Sequence, residues 1–353
     1  MPPGHPAPPV HPPLGAHTTM PLYDGFYRGK QVLITGGAGF IGSNLARRLV
    51  DLDAAVTVVD SLIDDYGGNL FNLDGLDNRL KLNIADVRDQ HGMSYLVRGQ
   101  DLIFNLAGQV SHIDSMRDPH TDLDINCRAQ LSLLEACRRN NPEVKVVYAS
   151  TTQIYGKPDR VPVTENENRH PIDVNGINTM AGEEYHIVYN NVYGLRACSL
   201  RLTRTYGPRM LVKHNRQTAL GWFIRQALDD EEIQVFDGGQ LRDYTYVDDV
   251  VEAFLLAGAD EAVNGGIFNL GGTRPIALGE LIETLIRVAG SGSFKVVPFP
   301  EERRRIDIGD FYADYSKITR TLGWRPTTEL EAGLRQTVEF YRRFRDKYWT
   351  KGN

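Results

Sequence analysis

The 353 residues carry 39 Lys and Arg against 45 Asp and Glu, a formal net charge of -6, with 41% hydrophobic and 24% charged residues. A chain of this length and balance can bury a sizeable core, in one long domain or two shorter ones. Its slight acidity gives no general affinity for nucleic acid or anionic membranes, and no apolar run approaches the ~18 residues of a membrane span, so neither is expected as a partner.

Residues 1–22 read as a disordered leader. They are rich in Pro and His and lack both the basic start and the apolar stretch of a secretory signal. Cys127, Cys137 and Cys198 are an odd set without metal-ligand spacing, so reduced buried thiols and a cytoplasmic protein are expected, with no metal site. The first structured element is Val32-Leu33-Ile34-Thr35, an apolar run short enough for a buried strand, which enters Gly36-Gly37-Ala38-Gly39-Phe40-Ile41-Gly42 and then a helical pattern. Glycines here allow a tight turn and a close backbone approach to a pyrophosphate, while the following helix points its first amides at the anion. A second run, Ala55–Val59, ends in Asp60, about 20 residues on, where a carboxylate holds an adenine ribose. That carboxylate repels a 2′-phosphate, so NAD is expected rather than NADP.

Further strands are expected at 79–87, 101–108, 144–150 and 197–202, with helices at about 118–140 and from near Gly176. Asp86 at the end of the third strand falls near the adenine, and the small Ala107-Gly108 end of the fourth admits a cofactor. Strands alternating with helices predict an α/β, Rossmann-like doubly wound parallel sheet. Tyr185, Tyr189 and Tyr193 at i, i+4, i+8 form a packing stripe, suited to a subunit interface. After residue 200 the pattern loosens into helices at 220–228, 250–257 and 278–289, short strands at 233–236 and 267–270, and an amphipathic helix at 330–341. The expected division is a dinucleotide-binding domain at 23–200 and a smaller, mostly C-terminal lobe at 201–353, with the chain crossing back to the first.

Six stretches stand in a familiar order: Gly36–Gly42, Asn105-Leu-Ala-Gly108, Ser150-Thr-Thr-Gln-Ile-Tyr-Gly156, Arg201-Leu-Thr-Arg-Thr-Tyr-Gly-Pro208, Arg242-Asp-Tyr-Thr-Tyr-Val-Asp-Asp249 and Leu322-Gly-Trp324. Together they resemble the extended short-chain dehydrogenase/reductases, the NAD-dependent nucleotide-sugar epimerases, dehydratases and decarboxylases. The resemblance implies NAD in a Rossmann domain, a nucleoside-diphosphate sugar in the C-terminal lobe and a homodimer. It also implies a sugar hydroxyl oxidised to a ketone and reduced again, with 4-epimerisation as the leading reaction. The cofactor residues it implies are Gly36, Gly39, Phe40, Ile41, Gly42, Asp60, Ser61, Asp86, Val87, Leu106, Ala107, Gly108, Asn126 and Ser150. For the substrate it implies Gln109, His112, Thr152, Arg204, Arg242, matching the arginine that pairs with the diphosphate, and Arg303, from the run Arg303-Arg304-Arg305.

The family's proton-transfer pair is Tyr-x-x-x-Lys, in which the lysine charge lowers the tyrosine's pKa. Here Asn175 stands at the tyrosine position and Thr179 at the lysine position, and none of the 16 tyrosines is followed by a lysine four residues later. The catalytic positions are therefore Thr151, which matches the Ser/Thr that hydrogen-bonds the reacting hydroxyl, with Asn175 and Thr179. Neither an amide nor an alcohol exchanges protons usefully near neutral pH. Gln153 stands where dehydratases and decarboxylases usually carry an acid, and Arg204 where an asparagine is frequent. His112, Asp114 and Lys213-His214 are the substitute acid/base candidates. Besides 4-epimerisation the sequence admits a non-catalytic binding protein or partner subunit, a decarboxylase or dehydratase of the same fold, and an enzyme acting on a pre-oxidised sugar.

Overall fold

The structure, a computed structural model, describes Tyr23, residues 25–298 and residues 308–349. Its first half runs β1 (Gln31–Thr35), α1 (Phe40–Asp51), β2 (Ala55–Asp60), β3 (Leu80–Ile84), α2 (Gln90–Leu96), β4 (Leu102–Asn105), α3 (His112–Arg117), α4 (Pro119–Leu123), α5 (Ala129–Asn140), β5 (Lys145–Thr151), α6 (Val174–Tyr193) and β6 (Arg196–Leu202). The second half runs β7 (Arg204–Tyr206), α7 (Ala219–Leu228), β8 (Glu232–Phe236), β9 (Leu241–Tyr246), α8 (Val247–Ala259), β10 (Ile267–Asn269), β11 (Pro275–Ala277), α9 (Leu278–Ala289), β12 (Ser293–Val297), α10 (Ser316–Leu322) and α11 (Leu330–Phe344).

Strand parity builds the main sheet, because successive side chains point to opposite faces. Val32, Ile34, Val58 and Phe104 share one core with Leu45 and Leu49 of α1 and Phe254 of α8. Leu33, Val59, Ile103 and Val146 share another with Met93 of α2, Leu133, Leu134 and Cys137 of α5, and Tyr189 of α6. Strands buried on both faces read as continuous apolar runs and pair in parallel. Seven strands pair in parallel, in the order β10-β6-β5-β4-β1-β2-β3, of which the edge strand β3 is partly exposed. The expected doubly wound parallel sheet is thus present, and the run at 267–270 is its edge strand. The order reverses between β1 and β4, and ligands of open α/β sheets collect beyond the strand ends at such a reversal.

Several expected elements differ in their bounds; the strand at 101–108, for one, spans only Leu102–Asn105. The strand at 79–87 stops at Ile84, where Asp86 turns the chain by accepting from the Arg88 amide at 2.8 Å. The helix at 118–140 is interrupted by a π turn over Asp124–Arg128, where Gln130 Nε2 donates to the Ile125 carbonyl at 3.0 Å and Asn126 turns its amide toward Gln109. The helix expected near Gly176 starts two residues earlier, because Asp173 caps it by accepting from the Gly176 amide at 2.7 Å.

Outside the main sheet, β11-β9-β7 form a three-stranded sheet and β8 pairs in parallel with β12. Asp249 ties α8 to the closing segment. Its carboxylate accepts from the Thr327 amide and hydroxyl and the Thr328 amide, while its carbonyl accepts from the Trp324 indole at 2.8 Å.

Two buried charges make this fold testable. Glu183 of α6 is fully buried and receives Arg201 Nη2 at 2.6 Å, Arg201 Nε at 3.0 Å and Ser199 Oγ at 3.1 Å. Glu183→Gln leaves the Arg201 cation buried without that counter-charge, and denaturant unfolding should show a loss of about 3–5 kcal/mol. Asp243 of β9 is also buried; Oδ2 accepts from the Ala313 amide at 3.0 Å, and Oδ1 has no partner among the described residues. Burial pushes its carboxyl from 3.8 up to about 6, against the pull of the Ala313 amide and the Arg204 charge. The folded state therefore keeps a proton that the unfolded chain has already released. The stability this contributes is fully present below the unfolded value and is lost as pH rises through the folded one. Thermal melts of Asp243→Asn should gain on the parent as pH climbs from about 4 to about 7.

Candidate functional site

At the carboxyl ends of β1, β2, β4 and β5 lies a cavity of about 480 Å³. Its wall brings together every expected cofactor residue: Gly36, Gly39, Phe40, Ile41, Gly42, Asp60, Ser61, Asp86, Val87, Leu106, Ala107, Gly108, Asn126 and Ser150. Thr151, Asn175 and Thr179 line it too, as do Gln109, His112 and Arg204. Thr152 and Arg242 do not. Thr152 Oγ1 donates to the Leu202 carbonyl at 3.1 Å, and Arg242 donates to the Leu241 carbonyl at 2.9 Å and Gln240 Oε1 at 3.1 Å. Arg303 and its neighbours lie outside the described residues.

The glycine turn is shaped by contacts that no side chain could share. A Cβ on Gly42 would sit 2.3 Å from the Gly36 carbonyl oxygen. Gly36, at φ +68°, would put one 2.9 Å from the Leu106 carbonyl oxygen. The cap position of α1, Gly39, supplies no side-chain acceptor, so the helix's first amides stay open to an anion. Asp60 accepts from the amides of Ala38 at 3.0 Å and Leu62 at 2.9 Å, which fixes its carboxylate beside the turn. Burial raises its pKa, and the amides of Leu62, Ala38 and Gly39 pull it back. The Ser150 hydroxyl, on the same wall, is buried without a partner among the described residues. A backbone cradle, an uncapped helix start, a carboxylate at the end of β2 and an unpaired hydroxyl on one wall are groups that fit NAD.

The position of the missing tyrosine is occupied, not empty. Asn175 Nδ2 donates to the Gln109 carbonyl at 2.6 Å and to Asp122 Oδ2 at 3.1 Å. Asp122 is fully buried and also receives the amides of Asn126 at 3.1 Å and Asn178 at 2.8 Å. Burial lifts the Asp122 carboxyl above its ordinary range, while the amides of Asn178, Asn175 and Asn126 act to lower it. Thr151 Oγ accepts from the Gln153 amide at 3.2 Å, leaving its own proton to donate. Arg204 is the one Lys or Arg on the cavity wall among the described residues.

Of the substitute acid/base candidates, only His112 faces the cavity. Asp114 is paired with Arg216 at 3.3 Å, and Lys213 with Asp65 at 2.9 Å. His214 has both ring nitrogens engaged, by the Asp65 carbonyl and the Arg216 amide. His112 Nδ1 lies 2.6 Å from Asp173 Oδ2. Burial acts to raise Asp173, but the His112 hydrogen bond and charge and the Gly176 amide outweigh it and hold the carboxyl below its usual value. Sequence reasoning missed Asp122 and Asp173. Asp173 carried a signal, an aspartate directly ahead of a helix start; Asp122, one acid among several in an ordinary helical pattern, carried none.

The model of the NAD dependent epimerase/dehydratase family matches residues 32–271. The UDP-glucose 4-epimerase of Mycolicibacterium smegmatis is 31% identical over 319 residues, which cover 88% of this chain and 98% of that protein. The UDP-glucose 4-epimerase of Thermotoga maritima, solved with UDP-glucose, superposes with a TM-score of 0.80 at 33% identity, covering 89% of this chain and 99% of that one. The UDP-glucuronic acid 4-epimerase of Bacillus cereus, solved with UDP-glucuronic acid and NAD, gives a TM-score of 0.79 at 26% identity, covering 89% and 99%. With its parallel sheet, glycine turn and Asp60 in place, the chain belongs to the NAD dependent epimerase/dehydratase family.

Proposed function

We propose that the protein is an NAD-dependent enzyme that epimerises a nucleoside-diphosphate sugar at C4 through a transient ketone. The carrying observation is that one cavity is lined by all the expected cofactor residues together with Thr151, His112 and Arg204. Similarity to several 4-epimerases over nearly the whole chain supports the reaction type.

Bound NAD supplies a hydride acceptor that later returns the hydride. The protein's residues do the rest. Asp60 would hold the adenosine ribose hydroxyls, and the Gly36–Gly42 turn with the start of α1 would face the pyrophosphate. Thr151 donates to the reacting sugar oxygen, and Arg204 supplies positive charge for the anionic substrate. Arg242 is proposed to pair with the substrate diphosphate, as the family resemblance implies; Thr152 holds β5 to β6 beside Thr151. Asn175 braces the wall through Gln109 and Asp122, and Thr179 faces the sugar as a neutral group. We assign residues 23–200 to the NAD side and residues 201–353 chiefly to the nucleotide-sugar side, α8 and β10 excepted. A homodimer through α6 is supported by its exposed Ile177, Val188, Val192 and Tyr193. A cytoplasmic location accords with three free thiols, and no helix among the described residues is long and apolar enough to cross a membrane.

The test is to purify the protein, identify its dinucleotide, and incubate it with UDP-, GDP-, dTDP- and CDP-sugars, reading products by NMR. Conversion of one establishes the enzyme; binding without conversion favours a non-catalytic NAD and nucleotide-sugar binder. Asp60→Ala should retain less NAD, weakened by the about 1.5–3 kcal/mol of a charged hydrogen bond, and cofactor content after gel filtration reads it.

A further inference from the structure

We propose that His112 is the proton acceptor of the reaction and that Asp173 positions it, so that an Asp–His dyad stands in for the absent Tyr-x-x-x-Lys pair. The assignment rests on the nucleotide-sugar reading above and identifies the base that reading lacks.

Three observations converge on it. His112 lies on the cavity wall with Thr151, Asn175 and Thr179, its side chain 31% exposed. Its Nδ1 is taken by Asp173 at 2.6 Å, and Nε2 has no hydrogen bond among the described residues. Asp173 is itself fixed, since Oδ1 caps α6 through the Gly176 amide. The dyad is also clamped to the altered site. The Gln109 carbonyl, three residues before His112, receives the Asn175 amide, two residues after Asp173. The other titratable groups on the wall are poorly suited. Burial raises Tyr66, Tyr148 and Tyr244, which disfavours their phenolates, and Asp60 and Asp86 are held by the Ala38 and Leu62 amides and by Arg88.

In the forward step the sugar O–H bond breaks and its proton passes to His112 Nε2. The C–H bond at the same carbon breaks with its electron pair, which leaves as hydride to the nicotinamide dinucleotide, and the C=O double bond forms. Asp173, bonded to Nδ1–H, fixes the tautomer that presents a free Nε2 and stabilises the charge the ring takes up. In the return step hydride re-enters at the opposite face of the carbonyl and the imidazolium gives its proton back to the oxygen.

The test compares His112→Asn, His112→Gln and Asp173→Asn with the parent in the full-length protein. Asp173→Asn keeps the acceptor that caps α6 while removing the charge. The readouts are NAD content, nucleotide-sugar affinity by calorimetry, kcat and KM, and the single-turnover appearance of reduced nicotinamide absorbance on mixing with the sugar nucleotide. Both His112 variants should lose about 10²–10⁴-fold in kcat and in the single-turnover rate, with KM and NAD content held. Asp173→Asn should show a smaller loss in the same two parameters. Turnover in both His112 variants within about threefold of the parent, or a loss confined to KM, overturns the dyad alone. A parent protein that converts no nucleotide sugar overturns the functional reading and the dyad with it.

Discussion

Everything at this site depends on how closely the β1–α1 turn approaches the end of β4. Gly36 lies against the Leu106 carbonyl and the Ala107 backbone, and Gly42 against the Gly36 carbonyl, so three segments of main chain meet with no side chain between them. Thr35 completes the join. Its hydroxyl accepts from the amides of Leu106 and Ala107 at 3.1 Å each and donates to Asn105 Oδ1 at 2.8 Å. Backbone at this density leaves a groove walled by amides and small residues, the surface a pyrophosphate can reach. The remaining wall follows from this fixed edge. Asp60 is braced from the turn through Ala38, and Gln109 and His112 follow the end of β4 within a few residues.

A second organising group is a buried carboxylate, Asp122, bonded to the wall residues Asn126 and Asn175. Asp122 has no cation within ion-pair distance among the described residues, and its negative charge meets only the dipoles of three asparagine amides. A carboxylate buried without a cation needs such donors to remain in place. Asn175 is therefore part of the wall's internal bonding: its amide closes the set around Asp122 and ties α6 to the chain after β4. Neutral residues at 175 and 179 leave a stable wall and move the burden of proton transfer to another element of the same groove.

Much of this was legible in the sequence because its signals are local. Apolar runs ending in glycines mark β1 and β4, and an acid ends β2; the structure brings the two glycine turns and Asp60 to one cavity. The segments that escaped notice are short or depend on distant partners. β7, β11 and β12 have three to five residues and little internal pattern, and they hold their shape through β9 and β8. The π turn is invisible in periodicity, since it accompanies hydrogen bonds that Gln130 and Asn126 make to the distant Ala107 and Gln109 carbonyls. The His112–Asp173 contact spans 61 residues, so spacing along the chain could nominate each residue but not the pair.

The stretches that carry the family resemblance also explain why resemblance speaks more strongly about fold than about chemistry. Asp249 and Trp324 bind one another's segments deep in the molecule, and Asp243 holds the Ala313 amide. Arg201 holds Glu183 and Tyr155, which in turn bonds Asn269 on the edge strand. Removing a partner from any of these buried groups leaves a polar atom unpaired at a cost of about 1–3 kcal/mol, more for the Glu183–Arg201 charges, so the requirements of folding account for these residues. Positions 175 and 179 lie on the cavity wall, where an amide that finds two acceptors, or a small alcohol, is tolerated by the fold. Reactivity is therefore free to change while the scaffold is not. The proton carrier of such a protein has to be read from the groups that line its groove, and here those groups lead to the ring held by Asp173.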